Sequence, residues 1–218
     1  MRQLHTTPAA AIAATRRAVG LPWPARLRNG ARVQIRAVRP EDARRFGDFV
    51  AGLSAASRGE RFGGGLAPCS PAMLVELVSV DGVGQVAFVA TRATTEGEEV
   101  IGEARYAVGA DGGCAELSLV VADIWQGQGL AGQLLDRLLE AARDAGLCRV
   151  FGELPSSWLR TIHFLRRMGF VACAHSADGA MLRMERGVAP CLPQAGAPPR
   201  SVHVLRRWLN SQLLQLGV

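Results

Sequence analysis

Val120-Val121-Ala122-Asp123-Ile124-Trp125-Gln126-Gly127-Gln128-Gly129-Leu130-Ala131-Gly132 decides how this chain is read. An apolar run ends at Val121. Glycines follow, and then a long amphipathic segment begins. Within Gln128–Ala145, Leu130, Leu134, Leu135, Leu138, Leu139 and Ala142 recur at helical spacing, and Gly146 ends the pattern. The unit is therefore strand, short connection, glycine turn, helix. Glycine lets the backbone approach a ligand closely and turn several N–H groups the same way. A helix start adds unpaired N–H donors and a partial positive charge. Together these suit an anion such as a diphosphate. A glycine-rich turn with no ligand is the competing reading.

Gly127, Gly129 and Gly132 also satisfy G-x-G-x-x-G, the dinucleotide fingerprint, and Glu153 stands about 20 residues further on. In that motif the first glycine ends the strand directly. Here Ala122–Gln126 intervenes. The preceding strand pairs through a hairpin, and only 65 residues follow Glu153. The spacing argues against a dinucleotide-binding domain.

Outward from the loop, strands and helices mix. Val33–Val38 reads as a strand. Pro40-Glu41-Asp42 opens a helix, with proline first and acids in its first turn. Arg58–Pro68 is glycine-rich and is expected to be a loop. Pro71–Val78 reads as a short helix, and Gln85–Thr91 and Glu99–Val108 as strands. Ala110-Asp111-Gly112-Gly113 turns the chain into strand Cys114–Val121. After the long helix come strand Leu147–Glu153, helix Ser157–Met168, and strands Phe170–His175 and Ala180–Arg186. Hairpins come first and a β-α-β unit follows, which is a mixed α/β fold. The organisation reads as an N-terminal basic extension over 1–31, one domain over 32–187, a Pro/Gly/Ala linker over 188–200 and an amphipathic C-terminal helix over 201–218.

Composition narrows the classes further. The chain has 218 residues, 49% hydrophobic and 20% charged, which is globular. No apolar run reaches the ~20 residues of a membrane span. Met1–Ala14 carries one arginine and an apolar patch broken by Pro8, unlike a secretory leader. All basic residues are arginine. The net charge of +6 is uneven: residues 1–39 hold eight arginines and no acid, and 187–218 hold three arginines and no acid. The middle then carries fourteen arginines against 19 acids, a net of −5. The basic excess belongs to the ends, so the fold itself shows no specific nucleic-acid surface. Five cysteines are widely spaced, with no C-x-x-C or H-x-x-x-H pattern, so no metal site is expected. Cys114, Cys148 and Cys173 lie in strand-like runs and read as buried thiols of a cytoplasmic protein.

Gln126-Gly127-Gln128-Gly129-Leu130-Ala131 resembles the CoA-binding motif Q/R-x-x-G-x-G/A of the GCN5-related N-acetyltransferase family. The resemblance covers 33–186. Arg39-Pro40-Glu41-Asp42 is similar to that family's opening R-P-x-D, and Met168-Gly169-Phe170 to its L-G-F. It implies a mixed, mostly antiparallel seven-stranded sheet flanked by helices, with the fourth and fifth strands splayed. It also implies acetyl-CoA as cosubstrate, with pantetheine bonded to the backbone of Leu119, Val120 and Val121. The diphosphate would lie on Gln126, Gly127, Gln128, Gly129, Leu130, Ala131 and Gly132. More narrowly, Leu53-Ser54-x-x-Ser57-Arg58-x-x-Arg61-Phe62 and Ala115–Val121 are similar to Pat-type bacterial protein-lysine acetyltransferases.

The resemblance implies acyl transfer to an amine, either a protein lysine or a small molecule. A lysine amine, with an ordinary pKa of ~10.4, must lose a proton before it attacks. Glu116, early in the pantetheine strand, is the candidate base, matching the glutamate of the Pat-like pattern. Glu103, Asp123 and Glu153 are weaker candidates. Backbone N–H at Leu119 or Val120 would hold the oxyanion. Two positions depart from the family. Leu165 stands where many members carry a tyrosine acid, and Tyr106 lies on another strand. Trp158 stands where an asparagine often touches the cofactor, and could stack on it or cap the core. His163 reads as a surface residue. No cysteine sits beside a base, so transfer is direct. A non-catalytic acyl-CoA-binding module is the alternative. Trp208, Arg206 and Arg207 in the tail helix could serve a membrane surface or a homodimer partner.

Overall fold

A computed structural model describes residues 21–62, 69–109, 112–176 and 178–189. The expected tail helix, most of the linker and residues 1–20 lie outside them. The strands are β1 (Trp23–Arg26), β2 (Arg32–Ala37), β3 (Gln85–Thr94), β4 (Gly97–Val108), β5 (Cys114–Val121), β6 (Arg149–Pro155), β7 (Val171–His175) and β8 (Met181–Gly187). The helices are α1 (Ala43–Gly52), α2 (Ala55–Phe62), α3 (Pro71–Val78), α4 (Leu130–Asp144) and α5 (Leu159–Arg167). The strands form one sheet in the order β1-β2-β3-β4-β5-β6-β8-β7. Every neighbouring pair is antiparallel except β5 with β6.

The alternation of apolar residues splits the core across two faces. Val33, Ile35, Val86, Phe88, Ala104, Tyr106, Ala115 and Val121 lie in one cluster with the leucine stripe of α4. Ala87, Val89, Val100 and Val120 lie in the other, with Phe46, Phe49 and Val50 of α1 and Met73 and Leu77 of α3. Both helix ends that the sequence marks with glycine are closed the same way. Gly146 takes φ 74°, and Leu147 N–H bonds Ala142 O; Gly169 takes φ 80°, and Phe170 N–H bonds Leu165 O. The residue after each glycine then drops into the core, Leu147 and Phe170 both being buried. This is the physical content of Met168-Gly169-Phe170.

Two sequence expectations change. Strand β1 falls inside the expected extension: Trp23–Arg26 pairs with Ile35–Arg32, so the sheet has eight strands, not seven. Asn29-Gly30 makes the turn, with Gly30 at φ 87° and Asn29 Oδ1 accepting from Ala31 N–H at 3.0 Å. The expected loop over Arg58–Pro68 is helical as far as Phe62. Ser54 caps that helix, its Oγ accepting from Ser57 N–H at 3.2 Å. The glycines of that stretch favour a loop, but the cap outweighs the weak helix propensity of Gly59.

The opening Arg39-Pro40-Glu41-Asp42 is a 3-10 turn leading into α1. Its acid is a buried anchor. Arg36 forks onto Asp42 at 2.7 and 2.8 Å, and Arg39 N–H donates to Asp42 Oδ2 at 2.9 Å.

Candidate functional site

After β5 the chain makes one 3-10 turn, Asp123–Trp125, and reaches Gln126. Gly127 (φ 72°) and Gly129 (φ 87°) then take left-handed conformations that other residues rarely adopt. The first main-chain bond entering α4 runs from Gln133 N–H to Gly129 O, so the N–H groups of Leu130, Ala131 and Gly132 precede it. Those of Gly127, Gln128 and Gly129 donate to no main-chain carbonyl among the described residues. A row of N–H donors at the start of a fifteen-residue helix fits a diphosphate.

Three groups fix this loop. The Asp123 carboxylate accepts from Ser54 N–H, Ser54 Oγ and Ser57 Oγ, each at 2.8 Å. Burial pushes that carboxyl up, but these hydrogen bonds outweigh it and hold it below the usual carboxylate range. Gln126 Nε2 donates to Val121 O at 3.1 Å and to Ser57 Oγ at 3.2 Å. The Gln126 amide thus faces back into the protein. From the β1–β2 turn, Arg28 N–H donates to Gln128 O at 3.1 Å and Arg28 Nη1 to Gly127 O at 3.3 Å.

The expected splay lies between β5 and β6. Their parallel pairing covers only Cys114–Glu116 against Arg149–Phe151. Beyond Glu116 the edge of β5 is unpaired on that side. Backbone groups of a strand alternate in direction. Gly113 O accepts from Cys148 and Arg149 on the β6 side, and Ala122 N–H donates to Ile101 O on the β4 side. Odd-numbered residues therefore face the gap and even-numbered ones face β4. Of the three expected backbone contacts, Leu119 and Val121 open to the gap while Val120 turns toward β4, opposite Glu103. Val121 O is already taken by Gln126. The expected oxyanion donor narrows to Leu119.

Glu116 forms the last pair of the parallel ladder, opposite Phe151, at the vertex of the splay. Its side chain is 8% exposed. It shares its face with Val120, on the side of the sheet carrying α1 and α3. The other candidate carboxylates lie away from this vertex or hold other parts of the fold. Glu103 is fully buried against Arg105, whose Nη2 also bonds Leu77 O at 2.9 Å. Asp123 holds the loop. Glu153 lies 3.4 Å from Arg183, which stacks on the Phe151 ring at 3.5 Å.

Leu165, at the family's tyrosine position, is a buried core residue. Tyr106 is fully buried on the opposite face from Glu116, in the cluster under α4, and burial raises its phenol far above the ordinary value. Trp158 precedes α5 and packs half-buried against the same cluster, as do Leu119 and Ala131. His163 is exposed. The cysteine reading needs correction: Cys114 is buried, but Cys173 is exposed on the edge strand and Cys148 is disulfide-bonded. Among the described residues no three His, Cys, Asp or Glu side chains gather as metal ligands, and no helix is long and apolar enough to cross a membrane.

Arg28, Ser54 and Ser57 support this loop from outside the residues expected to form it. Asn29-Gly30 between two alternating segments was the signal for the hairpin that carries Arg28. Ser54-x-x-Ser57 was readable as a helix cap, though its tie to Asp123, 69 residues away, was not.

The model of the acetyltransferase (GNAT) domain family matches residues 84–172. An acetyltransferase of Pseudomonas aeruginosa is 36% identical over 130 residues, covering 59% of this chain and 69% of that protein. The GNAT domain of S. lividans PAT superposes with a TM-score of 0.68 at 27% identity, covering 76% of this chain and 96% of that domain. The yncA protein of Salmonella typhimurium, whose structure holds its cofactor acetyl-CoA, shares the fold at a TM-score of 0.61 and 18% identity, over 75% of this chain and 99% of that one. The chain belongs to the GCN5-related N-acetyltransferase family: it is an acyl-CoA-dependent N-acyltransferase with acetyl-CoA as its acyl donor.

Proposed function

We propose that this enzyme acetylates the side-chain amine of a protein lysine by direct transfer, with Glu116 as general base. The observation that carries the proposal is the place of Glu116: a buried carboxylate at the vertex where β5 and β6 part. Acetyl-CoA supplies the acyl group as a thioester. The N–H groups from Gly127 to Gly132 hold the diphosphate at the start of α4. Leu119 N–H, facing the gap, donates to the thioester oxygen as charge develops there. Glu116 takes a proton from the attacking ammonium, directly or through one water. The amine nitrogen bonds the acyl carbon, the C–S bond breaks, and the departing thiolate needs no dedicated acid because its ordinary pKa is only ~8.5. Trp158 lines the donor side as an apolar wall. The Pat-like pattern at Leu53–Phe62 and Ala115–Val121, together with likeness to the GNAT domain of S. lividans PAT, favours a protein lysine over a small amine.

The test is turnover of acetyl-CoA with lysine peptides and small amines, wild type against Glu116→Gln. Loss of a positioned base should lower kcat by about 10²–10⁴-fold. A Glu116→Gln enzyme with unaltered kcat and pH profile would remove Glu116 as base. Turnover confined to small amines would remove the lysine.

A further inference from the structure

We infer that Arg28 is a positioning residue for the acyl donor: the β1–β2 turn sets the peptide planes of the diphosphate loop from behind. The inference rests on the proposed use of that loop.

The geometry is specific. Arg28 takes two consecutive carbonyls, Gly127 O through its guanidinium and Gln128 O through its own N–H. In a trans peptide the C=O and the following N–H point in opposite directions. Pinning Gly127 O toward Arg28 therefore turns Gln128 N–H away from it. Pinning Gln128 O does the same for Gly129 N–H. The two central donors of the loop are thus aimed outward on the face opposite Arg28. Glycine at 127 and 129 could populate several peptide orientations, so the loop itself does not select this one.

Charge adds a second effect. The loop Gln126–Gly132 contains no cationic side chain. Arg28 Nε lies 3.8 Å from where a Cβ on Gly129 would stand, so a guanidinium sits directly behind the donors. A carbonyl bonded to a cation polarises its own peptide and strengthens the N–H on the far side. The turn is held independently: Gln133 Nε2 donates to Arg26 O at 3.3 Å, and Arg137 stacks on Trp23 at 4.8 Å. Removing the guanidinium therefore leaves the hairpin docked, and the Arg28 N–H bond to Gln128 O survives any side-chain change.

The experiment compares CoA with pantetheine, which lacks the diphosphate, by calorimetric or NMR titration of wild type, Arg28→Gln and Arg28→Lys. Melting temperature is read alongside. Arg28→Gln should weaken CoA about tenfold, the scale of one charge-assisted hydrogen bond. Pantetheine affinity should stay within about twofold, and Arg28→Lys should recover part of the loss. Undiminished CoA affinity in Arg28→Gln overturns the inference while leaving the loop's role intact. So does equal weakening of CoA and pantetheine, which marks Arg28 as merely structural. A wild type that binds pantetheine as tightly as CoA overturns the loop reading itself.

Discussion

Replacing the glycines of the loop one at a time separates conformational need from close approach. Gly129 sits at φ 87° and ψ 0°, just before α4. A Cβ there would meet Arg28 Nε at 3.8 Å and Arg28 Cγ at 4.0 Å, ordinary contact distances, so Gly129→Ala brings no clash. The cost is the left-handed backbone alone, about 1–2 kcal/mol. If the loop holds, that cost appears as stability, a fall in Tm of about 2–8 °C for a domain of this size. If the loop yields by rotating a peptide, N–H donors turn away and CoA affinity falls instead, by about tenfold for 1.4 kcal/mol. Gly132 is the control. It lies in the first turn of α4 with no left-handed φ, and its added Cβ would find only Met168 Sδ at 4.0 Å. Gly132→Ala should raise Tm by a few degrees, since alanine gains up to ~1 kcal/mol over glycine in a helix. It should leave CoA affinity unchanged. Thermal melts with and without CoA, and CoA titrations, read both effects. Gly129→Ala indistinguishable from wild type in Tm and affinity would refute the backbone argument. Gly132→Ala that weakens CoA as much as Gly129→Ala would show that the diphosphate packs against the Gly132 Cα and not on its N–H alone, since alanine keeps that N–H.

Two further substitutions probe what supports the site. Asp42→Asn leaves the Arg36 guanidinium, 4% exposed, without its full counter-charge, and should cost about 3–5 kcal/mol in thermal or urea unfolding. Burial pushes the Asp42 carboxyl up, but the Arg36 fork and the Arg39 N–H more than offset this and leave it below the ordinary value. Its contribution is then present above about pH 4, the unfolded-state pKa, and is lost as pH falls through the lower folded value. Wild type should lose stability in acid more steeply than Asp42→Asn, and parallel curves would contradict the pairing. Tyr106→Phe removes a buried hydroxyl without a hydrogen-bond partner among the described residues. It should stabilise the protein by about 1 kcal/mol and leave kcat unchanged. A large fall in kcat would make Tyr106 an acid after all.

The parts of the fold set by local chemistry were legible in the sequence. The stripe of α4 was readable because six apolar positions follow one period, and its end because Gly146 stops it. The hairpin β4–β5 was readable from its turn glycines. Strand β1 was missed because it is only four residues long and lies inside the stretch read as a basic extension. Pro24 is tolerated because β1 is an edge strand with a single neighbour. The glycine loop was legible as a donor-rich turn, but the groups behind it were not. Arg28 lies 99 residues from Gly127 and Ser57 66 residues from Asp123, and no local period connects such positions. Likewise the choice between Leu119 and Val120 needed the register of β4, which fixes the direction of every N–H on β5.

The five residues from Ala122 to Gln126 do more than separate this loop from a dinucleotide motif. A glycine placed directly after Val121 would bring the helix start against the strand end and leave no span to anchor. Instead the intervening turn supplies Asp123, which binds the start of α2 through Ser54 and Ser57, and Gln126, which returns to Val121 O. Gln126 caps the last gap-facing carbonyl of β5, so Leu119 remains the gap-facing backbone position nearest the loop that is not already bonded to it. The same turn joins the start of α2, next to Leu53 in the cluster on the face that carries Glu116, to the loop at the head of α4, whose Leu130 lies in the other cluster. The proposed donor loop and the candidate base thus hang on a common strand, and the loop is tied to it by one hydrogen-bonded unit. Ser54 and Ser57, though they belong to a helix cap, are part of the support of the proposed donor site.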